Sequence, residues 1–170
     1  GALELIAAVQ AHEGLEQRIG ARGVEAGAVV LHEERAVLRR FARELDQRRG
    51  DVARVTLEVD AQSDMAWVVV DDPLPAGSTA LGSGLGGDSR IATQGERRVG
   101  NVWPAFEERT VSAFRAYYRY VPKGKFVVEY TVRLDNPGTF ALPGTRVEAM
   151  YAPEMFGEAP NAKVKVEAGK

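Results

Sequence analysis

The sequence contains no cysteine among its 170 residues. Disulfides, thiolate metal sites, cysteine nucleophiles and a thioester formed within this chain are therefore excluded. Histidine is almost as scarce, since His12 and His32 are the only two. Neither has a second histidine at metal-ligand spacing or a G-x-S-x-G serine to activate, so we interpret both as solvated side chains. We expect no catalytic residue, no metal site and no cofactor in this chain, which we predict is not an enzyme.

Long apolar runs and concentrated charge are also missing. No run approaches the ~18 apolar residues of a membrane-spanning helix, and no charged-then-apolar signal peptide opens the sequence. The 22 basic and 24 acidic residues give a net charge of -2, and the basic ones are scattered along the chain. Because a nucleic-acid groove needs a concentrated basic stripe, we expect this chain to contact neither nucleic acid nor a membrane.

What the sequence has in quantity is short alternating apolar segments separated by glycine and proline. The clearest is "KFVVEYTVRL" (125–134), in which every second residue from Phe126 to Leu134 is apolar. Further segments predicted as strands are 53–59, 65–70, 114–120, 145–151 and 162–168. The turn residues of "VPKG" (121–124) predict a hairpin between 114–120 and 125–134. This pattern predicts a mainly β fold, an immunoglobulin-like antiparallel β-sandwich with at most one or two short helices.

The first 47 residues have a less distinct pattern. In "LHEERAVLRRFARELDQ" (31–47), Val37, Leu38, Phe41 and Leu45 fall at helical spacing, so the residues alone predict a helix there. The earlier stretch "LELIAAVQA" (3–11) alternates as a strand would but also suits a helix. Both interpretations stay open for that stretch.

Two motifs resemble ligand sites. Gly82, Gly84 and Gly87 spell G-x-G-x-x-G, but the preceding strand ends well upstream and no amphipathic helix follows, so we interpret them as part of a surface loop. Four carboxylates lie close together in the sequence: Asp60, Asp64, Asp71 and Asp72. They lack the alternate spacing of a calcium loop and its terminal glutamate, so we interpret them as acids of turns.

The aromatic residues are interpreted mainly as core. Trp67 lies inside the apolar segment "MAWVVV" (65–70), which predicts a buried side chain, and we expect Trp103 in the core or at its rim. Tyr117, Tyr118 and Tyr120 share one predicted strand, so at least one of them must face outward.

Several stretches together resemble the C-terminal domain of bacterial alpha-2-macroglobulin-like proteins. They are "RRGDVARVTLEVDAQSDMAWVVVDDPLPAG" (48–77), "YRYVPKGKFVVEYTVRLDNPGTFALPGTRVEAMYAPEMFGEAP" (118–160) and the final Val-Lys segment. The pieces "DPLPAG", G-x-F-x-L-P and "EAMYAPEMFG" follow one another at the spacing typical of that family. The resemblance covers most of residues 48–168 and is weaker before them.

The resemblance implies a macroglobulin-like, receptor-binding-like β-sandwich over residues 48–170. It also implies that residues 1–47 add strands to the same single domain, with strands at 2–11 and 27–41. The chain would then be a fragment of a much larger protease inhibitor, tethered to the inner membrane as a lipoprotein in the periplasm and acting in defence or colonisation. The implied partners are other domains of the parent chain, above all its thioester domain, and target proteases met through the parent.

The segment "EAMYAPEMFGEAP" (148–160) is where the resemblance implies a specific role. In the family an aromatic side chain of this domain helps to cover the thioester before activation, and Tyr151 occupies the matching position. Met150, Met155 and Phe156 would form the surrounding apolar contact. The alternative is that Met155 and Phe156 close the end of the sandwich and that Tyr151 is an ordinary strand-end residue.

A different class of function stays open at this point. The same sandwich could serve as a cell-surface binding module, adhesive or carbohydrate-recognising. Docking on a sister domain predicts an apolar patch around residues 150–156. Sugar binding predicts instead an exposed Trp103 or Tyr117 with polar neighbours.

Overall fold

The computed structural model describes residues 24–25, 36–42, 48–82 and 93–168. This part of the chain contains strands and turns but no helix. The strands are, in chain order, β1 Val24–Glu25, β2 Ala36–Ala42, β3 Val52–Ala61, β4 Met65–Pro73, β5 Ser78–Ala80, β6 Arg98–Val99, β7 Phe106–Arg109, β8 Ala113–Val121, β9 Gly124–Leu134, β10 Gly138–Phe140, β11 Thr145–Ala149, β12 Ala152–Ala159 and β13 Val164–Val166. None of the described residues belongs to a helix long and apolar enough to span a bilayer.

Two sheets make up the fold. The first has the order β1-β2-β3-β9-β5, with β6 also paired to β9, and the second has the order β12-β11-β4-β8-β7. A small additional ladder joins β10 to β13. All pairings between these strands are antiparallel, and the inner faces of the two large sheets meet in one hydrophobic core. The predicted antiparallel β-sandwich is confirmed.

Aromatic rings join the two sheets across the core. Phe114 on β8 stacks on Tyr130 on β9 with ring centroids 4.3 Å apart, and Tyr118 meets Phe126 at 5.5 Å. All four side chains are buried. Alternation explains why, because every second residue of β8 and β9 points inward between the sheets.

One carboxylate lies inside this core. Asp72 on β4 accepts a hydrogen bond of 2.5 Å from the Tyr130 hydroxyl and another from the Thr145 hydroxyl. A buried carboxylate is stable only when its oxygens are paired in this way. Because Tyr130 belongs to the first sheet and Asp72 to the second, the bond ties the sheets together.

The predicted hairpin between 114–120 and 125–134 is wrong. Strand β8 pairs with β4 and β7, whereas β9 pairs with β3, β5 and β6. The chain therefore crosses from one sheet to the other through Pro122 and Lys123, and Gly124 supports the crossing with a φ of 132° that favours glycine. Alternation could not distinguish the two arrangements, since it shows which residues face the core but not which strand lies alongside.

The helix suggested by residues 31–47 is also wrong where the structure describes it. Residues 36–42 form β2, which pairs with β3 over seven residues, from Ala36 opposite Ala61 to Ala42 opposite Val55. Pairing to a distant strand overrides the local helical spacing. This agrees with the strand that the family resemblance implied at 27–41, whereas the strand expected at 2–11 lies outside the described residues.

Strand β12 was not predicted, because Pro153 and Pro160 interrupt the sequence around it. It forms the edge of the second sheet, where proline is tolerated. Its pairing with β11 shifts register: Glu148 lies opposite Phe156, but Ala149 lies opposite Ala152. Residues 153–155 are the extra residues of a bulge, and this bulge holds Pro153.

Charged residues connect the two sheets at the opposite edge. Arg98 on β6 lies 2.5 Å from Glu107 on β7, and Arg109 on β7 lies 2.7 Å from Glu96 and 2.9 Å from Glu107. We call these four residues the clasp. Their side chains are only 8–22% exposed. Burial acts to raise the pKa of Glu107, but the hydrogen bonds and charges of Arg98 and Arg109 outweigh it, so this pKa is lowered.

Candidate functional site

Three apolar side chains project from one end of the sandwich. Met150 and Tyr151 form the two-residue turn between β11 and β12, and Trp67 lies on the neighbouring strand β4. Tyr151 is 78% exposed, Trp67 50% and Met150 48%. We call this group the tip. Hydrophobic residues scattered singly on a surface are normal, but three that are adjacent form a contact surface.

Two contacts hold the tip together. The rings of Trp67 and Tyr151 meet edge to face, with centroids 6.3 Å apart and planes at 88°. The Met150 N–H donates a 2.8 Å hydrogen bond to the Trp67 carbonyl. The turn is therefore joined to β4 through both a side chain and the main chain.

The prediction that Trp67 packs in the core is wrong. Its φ is 52°, and it is the single non-glycine residue with positive φ in the described chain. As a result Ala66 and Trp67 both lie on the exposed side, between buried Met65 and Val68. A tryptophan surrounded by apolar residues reads as core, and nothing in the sequence signalled this backbone conformation.

The other two residues proposed for the site lie apart from the tip. Met155 is half-buried and packs against the core. Phe156 is half-buried on the outer face of the second sheet, and the Arg146 guanidinium lies 4.5 Å from its ring centroid. Of the four residues proposed for the site, Met150 and Tyr151 therefore form the projecting surface, and Trp67 joins them.

A polar cluster stiffens the same end of the sandwich. Asp64, in the turn between β3 and β4, accepts a 2.6 Å hydrogen bond from the Tyr120 hydroxyl and a 2.8 Å bond from the Lys123 N–H. The bond from Tyr120, followed by that from Lys123, lowers the pKa of Asp64. One carboxylate thus links the β3–β4 turn to the crossing between β8 and β9. The tip rests on a fixed base.

The outer face of the second sheet carries a row of alternating charge. Cross-strand neighbours along this row are Glu158, Arg146, Asp71, Arg115 and Glu108. Arg115 lies 3.2 Å from Asp71 and 3.3 Å from Glu108. These charges are paired within the chain, so this part of the face presents no surplus of one sign to a partner.

A second exposed aromatic group lies beside the other edge of this sheet. Trp103 precedes β7 and is 71% exposed. Phe106 is also exposed, and its ring lies 6.0 Å from that of Tyr117, whose hydroxyl donates to Glu108 at 3.2 Å. The expectation that Trp103 packs in the core is therefore wrong.

The acidic residues of the sequence do not converge on a common site. Asp60 pairs with Lys125, Asp64 with Tyr120, and Asp71 with Arg115, whereas Asp72 lies in the core. The part of the chain that the structure describes contains no group of three or more potential metal ligands. His12, His32, Gly84 and Gly87 lie outside the described residues, and Gly82 lies in the loop after β5.

Comparison with known proteins gives one family match and several relatives. Residues 28–154 match the family described as the bacterial alpha-2-macroglobulin MG10 domain. The chain is 31% identical over 119 residues to an alpha-2-macroglobulin homolog of Nostoc sp.. That match covers 69% of this chain but only 6% of the relative, so this chain spans a small part of such a protein.

Solved structures of two bacterial proteins contain a similar fold. Escherichia coli alpha-2-macroglobulin activated by porcine elastase gives a TM-score of 0.66 at 20% identity, covering 82% of this chain and 13% of that one. Salmonella alpha-2-macroglobulin reacted with methylamine gives 0.64 at 22% identity, covering 84% and 10%. At these identities the likeness concerns the fold alone.

Proposed function

Because this chain belongs to the bacterial alpha-2-macroglobulin family, as its MG10 domain, we propose that it is a docking domain of a larger protease-trapping protein. Its tip presses on a sister domain and covers the reactive thioester there until a protease activates the parent. The chain itself catalyses nothing. Its partners are the thioester domain and, through the parent, target proteases.

The observation that carries this proposal is the exposed tip. Tyr151 projects into water with 78% of its surface exposed, on a turn that two contacts fix to a central strand. Burying a large apolar side chain in a partner stabilises the contact by about 1.5–3 kcal/mol. Because the tip is already ordered, docking costs little conformational entropy.

Shielding follows from the chemistry of a thioester. Such a bond reacts with water and with amines, so a resting trap must keep both away from it. An apolar surface pressed over the bond excludes water from the site. The description of the Salmonella relative as reacted with methylamine, and of the Escherichia coli relative as activated by elastase, supports applying this chemistry to the parent of this chain.

The test is amine incorporation in the full-length parent protein at rest. We expect Tyr151→Ala to speed incorporation of labelled methylamine, because removing the ring opens a path for the amine. Phe106→Ala is the matched control, since it removes an exposed aromatic ring beside the other edge of the sheet. Equal rates in wild type and Tyr151→Ala, or no covalent methylamine in the wild-type parent by mass spectrometry, would remove the shielding role.

The location is part of the same proposal. The family resemblance supports a periplasmic parent that is anchored to the inner membrane as a lipoprotein, where it would meet incoming proteases during defence or colonisation. Fractionation of cells that express the parent tests this, and recovery in the cytoplasm would contradict it.

A second function is favoured by one observation. Trp103 is exposed, with Glu108 and Arg115 nearby on the same edge, as a sugar-stacking or adhesive module would require. We rank it second because the family match supports the first proposal directly. Binding of this chain to a glycan array that is lost in Trp103→Ala but kept in Tyr151→Ala would reverse the order.

A further inference from the structure

Trp67 has a backbone conformation that its surroundings do not require for folding. It lies in β4, a central strand between β11 and β8, yet its φ is 52°. A bulky residue with positive φ is a genuine outlier, and such residues concentrate where a side chain has a specific task. Glycine would adopt this φ without strain. The reason for tryptophan here must therefore lie in its side chain.

The strain has a definite geometric consequence. In β4 the inward–outward alternation slips by one residue, so that both Ala66 and Trp67 are exposed. In the paired strand β8 the alternation slips at the same level, and both Arg119 and Tyr120 are exposed. The register between the strands is unchanged on either side, with Ala66 opposite Tyr120 and Val68 opposite Tyr118. The two strands turn together, and the indole points outward.

The outward indole meets the Tyr151 ring edge to face at 6.3 Å. An exposed tyrosine on a two-residue turn has rotamers available to it, and a neighbouring ring restricts them. We propose that Trp67 is the positioning residue for Tyr151: its strained backbone places the indole where it holds the tyrosine ring in the projecting orientation. The consequence for amine exclusion rests on the function proposed above, whereas the positioning itself does not.

An ordinary structural role would leave a different signature. If Trp67 served only to stabilise the sandwich, a buried position would remove more of its apolar surface from water than the half-exposed one observed. Its carbonyl would accept the Met150 N–H with any side chain present. Removing the indole should therefore change the order of the Tyr151 ring more than it changes the stability of the chain.

The first test uses this chain with isotope-labelled tyrosine rings, and the readout is the NMR signal of Tyr151, assigned by its loss in Tyr151→Phe. Trp67→Gly and Trp67→Asn both accept a positive φ but lack the large ring. In both we expect the Tyr151 ring signals to move to the values of a freely rotating tyrosine. We expect Trp67→Phe to retain the wild-type signals, and Trp103→Gly, which removes the other exposed tryptophan, to leave them unchanged.

The second test measures methylamine incorporation in the full-length parent. We expect Trp67→Gly to raise the resting rate by about 2- to 10-fold, the range that corresponds to one contact between aromatic rings. Trp67→Phe should return the rate to within about 2-fold of wild type.

The outcomes separate the two ideas. Unchanged Tyr151 signals in Trp67→Gly and Trp67→Asn would overturn the positioning role. If those signals move while Tyr151→Ala leaves the methylamine rate unchanged, positioning stands and shielding fails. If Tyr151→Ala speeds incorporation but Trp67→Gly leaves both readouts unchanged, shielding stands and Trp67 has no part in it.

Discussion

The clasp and the tip lie at different places on one sandwich and solve opposite problems. At the clasp, charged side chains are withdrawn from water, and each has a partner of opposite sign within 4 Å. At the tip, apolar side chains are left in water, and the chain covers them only partly. The first region is complete within this chain, whereas the second is not. A surface that this chain leaves uncovered is therefore the better candidate for contact with a partner.

The largest effect should come from breaking the clasp. Arg109→Ala leaves Glu96 and Glu107 buried with one cationic neighbour fewer, and it removes the guanidinium above the Phe114 ring. We expect a loss of about 3–5 kcal/mol in the free energy of unfolding, measured by urea titration. The matched control is Arg133→Ala, whose partner Asp135 lies 2.7 Å away in a largely exposed pair, and which should cost about 0–1 kcal/mol. Similar losses in both variants would contradict a special role for the clasp.

A smaller effect should appear in the pH dependence. The folded-state pKa of Glu107 is lowered from 4.5, so its ionised form stabilises the fold above the unfolded-state pKa. This stability is lost as the pH falls through the lower folded-state value. Glu107→Gln should cost about 1–3 kcal/mol at neutral pH. Its stability should also fall less than that of the wild type between about pH 5 and pH 2.5.

The comparison for this prediction is the curve of unfolding free energy against pH for the two proteins. Parallel curves through the acid range would show that Glu107 does not titrate with folding. Other acids with lowered pKa, such as Glu129 beside Arg97, remain in both proteins and set the common background.

The sequence predicted the strands well because a pleated strand imposes a period of two. Segment 53–59 became β3 and segment 125–134 became β9, each extended by a few residues or fewer. It could not predict which strands pair, because alternation is the same in a hairpin and in a crossing between sheets. Residues 36–42 show a second limit, since helical spacing there gives way to pairing with β3. Such long-range pairing has no local signal.

The tip was only half predictable. Met150 and Tyr151 drew notice because large apolar residues stand between prolines and acids, in a segment matching a family motif. Trp67 was missed because its orientation depends on a backbone angle rather than on residue type. An apolar neighbourhood in sequence predicts burial on average, and a single residue with positive φ reverses that prediction.

The smallest effect should come from the most exposed residue. Tyr151→Ala should change the unfolding free energy of this chain by less than about 0.5 kcal/mol, since most of the ring is already in water. Tyr118→Ala is the matched control of the same residue type: it empties a buried site against Phe126 and should cost about 3–5 kcal/mol. A loss at Tyr151 as large as that at Tyr118 would mean that the tip serves the fold itself. A ring that contributes so little here, on a turn fixed so firmly, instead keeps its apolar surface available for a neighbouring domain.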